Sequence, residues 1–234
     1  MNKTAVFLVT HGSSDRRSWL ALQNLVTVAK SRSDRYISGG CLEGQELSLA
    51  QQLEIFATEA IEEGISEILI LPLFLLEGVH VSEDIPAEVV IAQSKLQETL
   101  KFRVTARLGT NSQISSLLSQ HFEKYEMGTE QSARIVMAHG SRRAGANQVV
   151  EDLATQSQAI AAYWGVEPKI ETQIEHLISQ GIREINVLPY FLTEGGITEA
   201  IAKKIGAYSD RAKIQLLPLP LSDQQIVDLA LKIN

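Results

Sequence analysis

Stretches of apolar residues alternate along the chain with stretches of helical periodicity. Residues 5–10 form a continuous apolar run rich in branched side chains, which is typical of a strand buried on both faces of a parallel sheet. Residues 19–30 follow with helical spacing. Their apolar positions share one helix face: Leu22, Leu25, Val26 and Ala29. A strand, a short polar turn and a helix are the opening of a βαβ unit.

The alternation continues through the first half of the chain. Ser48 and Gln51 have the spacing of a capping box and predict that a helix begins there, with Gly64 just past its end. Strands are predicted at 36–42, 68–73 and 102–106, and further helices from Pro86 to about residue 96 and at 114–122. Strands that alternate with helices predict an α/β fold built on a parallel sheet.

The second half repeats the first. Residues 181–195 match residues 64–78 at a constant offset of 117 positions (Gly64 to Gly181), with ten identities. We infer an internal duplication, with domains at 1–126 and 133–234 separated by the polar, unpatterned segment 124–132.

The second copy is shorter than the first. His11-Gly12-Ser13 recurs as His139-Gly140-Ser141 at an offset of 128, so 11 residues are missing before the central strand (128 against 117). The sequence therefore predicts a shortened second strand, and residues 147–164 are predicted to be one helix. Thr172 and Glu175 have capping-box spacing and predict the next helix start.

Composition excludes several classes of protein. The formal net charge of −7 argues against nucleic acid or an anionic membrane as the main partner, and no apolar run is long enough to span a bilayer. The single cysteine, Cys41, cannot form an internal disulfide. We expect a cytoplasmic protein with an ordinary hydrophobic core.

Three polar residues of the first half follow three predicted strands. His11 follows the first, Glu43 the second and His80 the third. The carboxyl ends of parallel strands meet at one edge of a sheet, where ligands bind in open α/β folds. Two imidazoles and a carboxylate suit a divalent ion such as Fe²⁺, Co²⁺, Ni²⁺ or Zn²⁺.

These residues also have structural interpretations, because a carboxylate after a strand, such as Glu43, usually only faces water, and a lone loop histidine, such as His80, is more often structural than catalytic. The turn after the first strand needs glycine freedom and a helix cap, and histidine can serve as a capping residue. Asp84 precedes a helix, where an acidic residue favours the positive end of the helix dipole. His121, His176 and Cys41 lie within predicted elements and are interpreted as structural.

The repeat separates scaffold from candidate site. Glu77-Gly78 recurs as Glu194-Gly195, but the copies align beyond this point only with a one-residue gap at His80. A residue needed for the fold should occur in both copies, whereas a site residue is needed once. His139 is present without a second histidine, so it is either a turn residue or a contributor to the first-half site.

These residues resemble the sirohydrochlorin chelatase family, the class II chelatases called CbiX or SirB. The resemblance rests on His11-Gly12-Ser13 and on the block from Leu71 to Pro86, which contains His80 and Asp84. In the second half it rests on residues 139–142 and 188–192, so it covers nearly the whole chain. The resemblance implies two tandem chelatase-like α/β domains (Rossmann-like), each a parallel sheet flanked by helices, with a cleft between them.

The resemblance also implies an activity. Members of the family insert a divalent metal into sirohydrochlorin, on the route to sirohaem or cobalamin. His11 and His80 would bind the metal, and Glu43 would bind it or accept protons. We expect the metal, Co²⁺ or Fe²⁺ with Ni²⁺ possible, to be a substrate, with no organic cofactor, and we expect a monomer.

Sirohydrochlorin is rich in carboxylates, although the protein is acidic overall, so its binding needs local donors. The candidates lie beside the two His-Gly-Ser turns: Ser13, Ser14, Arg16, Arg142 and Arg143. Exposed arginines that only face solvent are an equally good interpretation of any one of them.

Two alternative functions remain open from the sequence. A metal or tetrapyrrole carrier would need the same residues without insertion activity. A phosphatase with His11 as nucleophile is also conceivable, but Thr10 stands where such enzymes place an arginine, and the repeat has no role in that account.

Overall fold

A computed structural model describes residues 3–96, 100–125 and 131–233 of the chain. The protein divides into two compact units. Unit 1 comprises Met1–Asn111 together with Ser222–Asn234, and unit 2 comprises Ser112–Leu221. Each unit is an α/β layer structure with a four-stranded parallel sheet, which confirms the predicted fold class.

The sheet of unit 1 has the strand order β2-β1-β3-β4. Its strands are β1 (Lys3–Gly12), β2 (Ile37–Glu43), β3 (Ile65–Pro72) and β4 (Lys101–Val104), and the helices between them are α1 (Arg16–Arg32), α2 (Leu49–Glu62) and α3 (Ile85–Lys95). Residues Ala5 to Val9 of the central strand β1 are almost fully buried, because helices cover both faces of the sheet.

The predicted helix start at Ser48 is confirmed. The backbone N–H of Gln51 donates to the Ser48 hydroxyl, and the Gln51 side chain accepts from the backbone N–H of Ser48. Gly64 follows the end of α2 with a positive φ of 71°, as a glycine at this position should. The apolar face of α2, including Leu53 and Phe56, packs into the core of unit 1.

Unit 2 repeats the topology with the order β6-β5-β7-β8. Its elements are α4 (Gln113–Glu123), β5 (Ser132–Ala138), α5 (Gln148–Gln156), β6 (Ile160–Tyr163), α6 (Ile170–Ser179), β7 (Glu184–Pro189), α7 (Gly196–Gly206) and β8 (Lys213–Leu216). The equivalent order of the two sheets agrees with the inferred duplication.

Two predictions for the second half are wrong in detail. The predicted helix over 147–164 ends at Gln156, and Ile160–Tyr163 is the missing second strand, four residues long against seven in β2. The next helix begins at Ile170 with Lys169 as its N-cap, so Thr172 and Glu175 lie inside α6 and do not form a capping box.

The compact units are not the two halves of the sequence. Helix α4 comes from the first half but belongs to unit 2, and α8 (Asp223–Ala230) comes from the second half but belongs to unit 1. In unit 1, α8 packs on α1, and Arg32 pairs with Asp228 at 3.1 Å. The division of the sequence at 126 and 133 stays a prediction about the duplicated segments.

Within the described ranges, no helix is both long enough and apolar enough to cross a bilayer.

Candidate metal site at the carboxyl edge of the first sheet

Two imidazoles meet at the carboxyl edge of the sheet in unit 1. His11 is the penultimate residue of the central strand β1, and His80 begins a single π-helical turn, His80–Asp84, that leads into α3. The Nε2 atoms of the two rings lie 3.0 Å apart, and the rings meet edge to face. His80 therefore lies on a helical turn and not on a loop.

The other nitrogen of each ring faces a hydrogen-bond acceptor. Nδ1 of His80 lies 2.7 Å from Oδ2 of Asp84, and Nδ1 of His11 lies 3.2 Å from the carbonyl oxygen of Gly12. Carboxylate and carbonyl oxygens accept hydrogen bonds, so each Nδ1 carries the ring proton in the neutral tautomer. Each Nε2 then presents its lone pair to the other.

Two lone pairs at 3.0 Å repel unless a proton or a cation lies between them. Imidazole nitrogens bind divalent metals at roughly 2.0–2.1 Å, and two such bonds with their nitrogen atoms this far apart enclose an angle of about 95°. That angle fits two neighbouring positions of an octahedral or tetragonal metal. The geometry of the pair is therefore compatible with one metal ion between its Nε2 atoms, and the metal site stays a prediction.

Glu43 lies beside this pair and not within it. Its Oε2 is 3.9 Å from Nδ1 of His11, on the side of the ring that faces away from the Nε2 atoms, and its side chain is 61% exposed. Over the ranges 3–96, 100–125 and 131–233, no group of three or more His, Cys, Asp or Glu side chains is arranged to hold a metal ion. The side chain of Glu43 would have to turn before it could become a third ligand.

Two glycines hold the histidine turn against the end of β2. Gly12 has a φ of +81°, and a Cβ there would lie 2.0 Å from the carbonyl oxygen of Glu43. Gly44 has a φ of +78°, and a Cβ there would lie 2.1 Å from the carbonyl oxygen of Ser13. The backbones that carry His11 and Glu43 pack this closely only because both positions lack a side chain.

The pair is accessible from solvent. The side chains of His11 and His80 are 43% and 39% exposed, so an ion or a large ligand can reach them. The ring of Phe74 lies 6.5 Å from that of His11 and adds an apolar neighbour.

The predicted substrate-binding residues fall into two groups. Ser13 and Ser14 are exposed in the turn that follows His11, and Arg16 is exposed as the first residue of α1. Ser13 also accepts a hydrogen bond from the backbone of Asp15. Arg142 and Arg143 are exposed in the equivalent turn of unit 2. The roles of all five stay predictions.

Unit 2 retains only one half of this arrangement. His139 follows β5 and places its Nδ1 2.9 Å from the carbonyl oxygen of Gly140, as His11 does with Gly12. The residue that would match His80 falls in the gap between the two copies. His139 therefore has the geometry of the shared turn.

Asp84 was missed as a site residue. The sequence predicts a helix-dipole role for it, but its side chain makes no capping hydrogen bond and contacts His80 instead. The signal that could have identified it is the i, i+4 spacing from His80 combined with the aligned residue of the second copy, Ala200.

Comparisons with known proteins agree with this picture. The CbiX family model matches residues 5–125 and again 133–231. A sirohydrochlorin cobaltochelatase of Priestia megaterium is 22% identical over 160 residues, which are 63% of this chain and 52% of the relative. One from Methanosarcina barkeri (strain Fusaro / DSM 804) is 29% identical over 85 residues, 36% of this chain and 62% of the relative. The chain thus spans about half to three fifths of the length of these curated relatives.

Solved structures share the fold. SirB from Bacillus subtilis with Fe³⁺ superposes with a TM-score of 0.81 at 18% identity, covering 98% of this chain and 93% of that one. The same chelatase from Bacillus subtilis subspecies spizizenii in complex with cobalt gives a TM-score of 0.76 at 18% identity, covering 98% and 92%.

Proposed function

The chain belongs to the CbiX family, and we propose that it is a chelatase that inserts a divalent metal, Co²⁺ or Fe²⁺, into sirohydrochlorin. The observation that carries the proposal is the pair of Nε2 atoms at 3.0 Å on His11 and His80. A site with two nitrogen ligands leaves most coordination positions open. Such a site suits a metal that is a substrate and must leave.

His11 and His80 hold the ion from one side in this account, while the pyrrole nitrogens of the macrocycle approach from the open side. The macrocycle offers four nitrogen donors against two from the protein, so the ion moves to the stronger chelator. Insertion displaces two pyrrole protons, and a base close to the ring must accept them.

Glu43 is the proposed acceptor of these protons. Its carboxylate is exposed and lies 3.9 Å from Nδ1 of His11, so once its side chain turns towards the Nε2 atoms it can accept the pyrrole protons and release them to water. Its role as a third metal ligand, which requires the side chain to rotate, also stays part of the proposal. The hydroxyls and guanidinium groups beside the two turns, on Ser13, Ser14, Arg16, Arg142 and Arg143, are proposed to bind the carboxylates of the substrate.

The biosynthetic route, to sirohaem or cobalamin, and a cytoplasmic monomer as the working form are likewise proposed. The curated relatives carry the name cobaltochelatase, and the solved SirB structures contain Fe³⁺ or cobalt. Imidazole ligands accept both metals, so supply and geometry select between them.

The test is to mix the protein with sirohydrochlorin and either Co²⁺ or Fe²⁺ and to follow the absorbance of the macrocycle. The wild type should exceed the rate without protein at least tenfold, and His80→Ala should return it close to that rate. His176→Ala, an exposed histidine on α6, is the control and should keep the wild-type rate. Metal binding without acceleration would identify a carrier instead. Hydrolysis of a phosphate ester that His11→Ala abolishes and chelators do not affect would favour the phosphatase.

A further inference from the structure

We propose that Asp84 positions His80 for metal binding. We further propose that the single residue inserted after Gly78 in the first copy, relative to the second, creates the π-helical turn that brings Asp84 to His80. The inference rests on the proposed function for its biological meaning. The contact, the turn and the comparison between the copies are observed independently of it.

The extra residue lies between Gly78 and Ser82. The Ser82 hydroxyl donates to the Gly78 carbonyl at 3.1 Å across four positions, and the Thr198 hydroxyl donates to the Gly195 carbonyl at 2.8 Å across three. These are the same contact in the two copies, with one residue more inside it in the first. Within this segment, the difference in length between the copies is therefore confined to the turn.

The helices beyond the turn return to a common register. Ile85 of α3 aligns with Ile201 of α7 at an offset of 116, and both are fully buried. Val89 and Ile205 align in the same way and are also buried. The π-helical turn absorbs the additional residue without changing how the helix packs. Single π-helical turns within helices commonly occur at functional sites.

The two acidic residues of the turn behave differently between the copies. Glu83 aligns with Glu199 in the first turn of α7, so the acid that favours the helix N-terminus is present in both. Asp84 aligns with Ala200. The copy that lacks the histidine thus also lacks the aspartate, which is the pattern of two residues that act together.

The contact has a specific consequence for the metal. Because Asp84 accepts from Nδ1 of His80 at 2.7 Å, the ring proton stays on Nδ1, and the ring is held with Nε2 towards His11. Loss of the carboxylate would let the proton move to Nε2 and let the ring rotate, and both changes oppose metal binding. Partners of this kind, which orient a metal-binding histidine, typically change affinity by 10- to 100-fold.

The experiment measures Co²⁺ binding to the full chain without sirohydrochlorin, by calorimetry or visible absorbance. Asp84→Ala should weaken binding by at least tenfold. Asp84→Asn, whose amide oxygen can still accept from Nδ1, should weaken it less. Glu83→Gln removes the same charge from the neighbouring position and should stay within about twofold of the wild type.

A second readout reports the position of the proton directly. In metal-free protein with ¹⁵N-labelled histidine, Asp84→Ala should increase the share of the His80 tautomer protonated at Nε2, and Glu83→Gln should not. The inference is overturned if Glu83→Gln weakens cobalt binding as much as Asp84→Ala, or if the tautomer does not change in Asp84→Ala. If no protein, wild type included, inserts metal while both readouts behave as expected, the proposed function fails and the positioning role stands.

Discussion

At the scale of single residues, Gly12 determines whether the histidine turn can form. A side chain there would meet the Glu43 carbonyl at 2.0 Å and would also have to adopt a φ of +81°. Gly12→Ala should therefore lower the free energy of unfolding by more than about 2 kcal/mol and weaken cobalt binding, because the turn that carries His11 must move.

The control is Gly64→Ala in the same unit. Gly64 has a similar φ of +71°, but a Cβ there would meet nothing within 4 Å. The free energy of unfolding of Gly64→Ala should fall by only about 1 kcal/mol, which is the cost of the left-handed backbone conformation for alanine, and its cobalt affinity should not change. Urea denaturation and metal titration of both variants check this prediction, and equal losses would contradict it.

A buried histidine away from the site makes stability depend on pH. Burial lowers the pKa of His121 below its ordinary value of 6.5, the Pro218 carbonyl opposes this shift, and the charge of Lys124 adds to it. Since the unfolded chain then binds the proton more tightly, stability falls as the pH drops through and below 6.5.

Replacing His121 should reduce the loss of stability that accompanies the drop in pH. Between about pH 7.5 and pH 5.5, the melting temperature of His121→Gln should fall less than that of the wild type. His176→Gln, which replaces an exposed histidine of the same unit, should follow the wild type. If the two variants show the same pH dependence, the burial argument is wrong.

The roles of adjacent acidic residues could not be separated by local sequence. Glu83 and Asp84 both precede α3, and a dipole role fits either residue. Only the contact between Asp84 and His80 distinguishes them, and it depends on the wide spacing of the π-helical turn.

At the scale of elements, the turn at His80–Asp84 is the main difference between the two copies of the central block. The alignment gap at His80 was visible in the sequence, but a longer loop and a π-helical turn produce the same gap. The distinction needs the packing of Ile85 and Val89, which shows that the helix register is maintained.

Deleting Val81 should therefore restore the length of the second copy without unfolding the protein. We expect the melting temperature to change by less than about 5 °C, since α3 can keep its buried face. Cobalt binding should fall at least tenfold, because His80 and Asp84 would be three positions apart. Val81→Ala, which keeps the length, should bind normally, and normal binding by the deletion variant would contradict the role of the turn.

The strand β6 was missed for a different reason. Ile160–Tyr163 includes two alanines, which favour a helix, and follows directly on the apolar spacing of α5. Its pairing with β5, from Ile135 to Ala138, decides the conformation instead. Sheet pairing of this kind is a tertiary interaction that the local pattern does not contain.

At the scale of the whole molecule, the last helix of each sequence half packs in the unit formed mainly by the other half: α4 in unit 2 and α8 in unit 1. Helix α4 buries Ile114, Leu118 and Phe122 within unit 2, where Arg134 lies over the Phe122 ring. An amphipathic pattern shows that one helix face is buried, but it does not show which sheet covers it. The exchange was therefore beyond prediction from the sequence, although the fold of each unit was predicted.

The assignment of α4 to unit 2 and of α8 to unit 1 predicts which fragments of the chain fold on their own. Residues 112–221 form a complete unit and should unfold cooperatively in urea. Residues 133–234 match the sequence repeat but lack α4, so the apolar surface under that helix is exposed, and they should show no cooperative transition. Equal cooperativity of the two fragments would contradict the assignment of α4 to unit 2.

The central claim is that the metal passes from the His11 and His80 pair to the macrocycle. Protein preloaded with one equivalent of radioactive Co²⁺ is mixed with sirohydrochlorin and a large excess of unlabelled Co²⁺, and a single turnover is sampled. The account predicts that the product of the wild type and of His176→Ala has a higher specific radioactivity than the bulk cobalt. The product of His80→Ala should have the specific radioactivity of the bulk cobalt. Product from the wild type that carries only the diluted label of the bulk solution would contradict it.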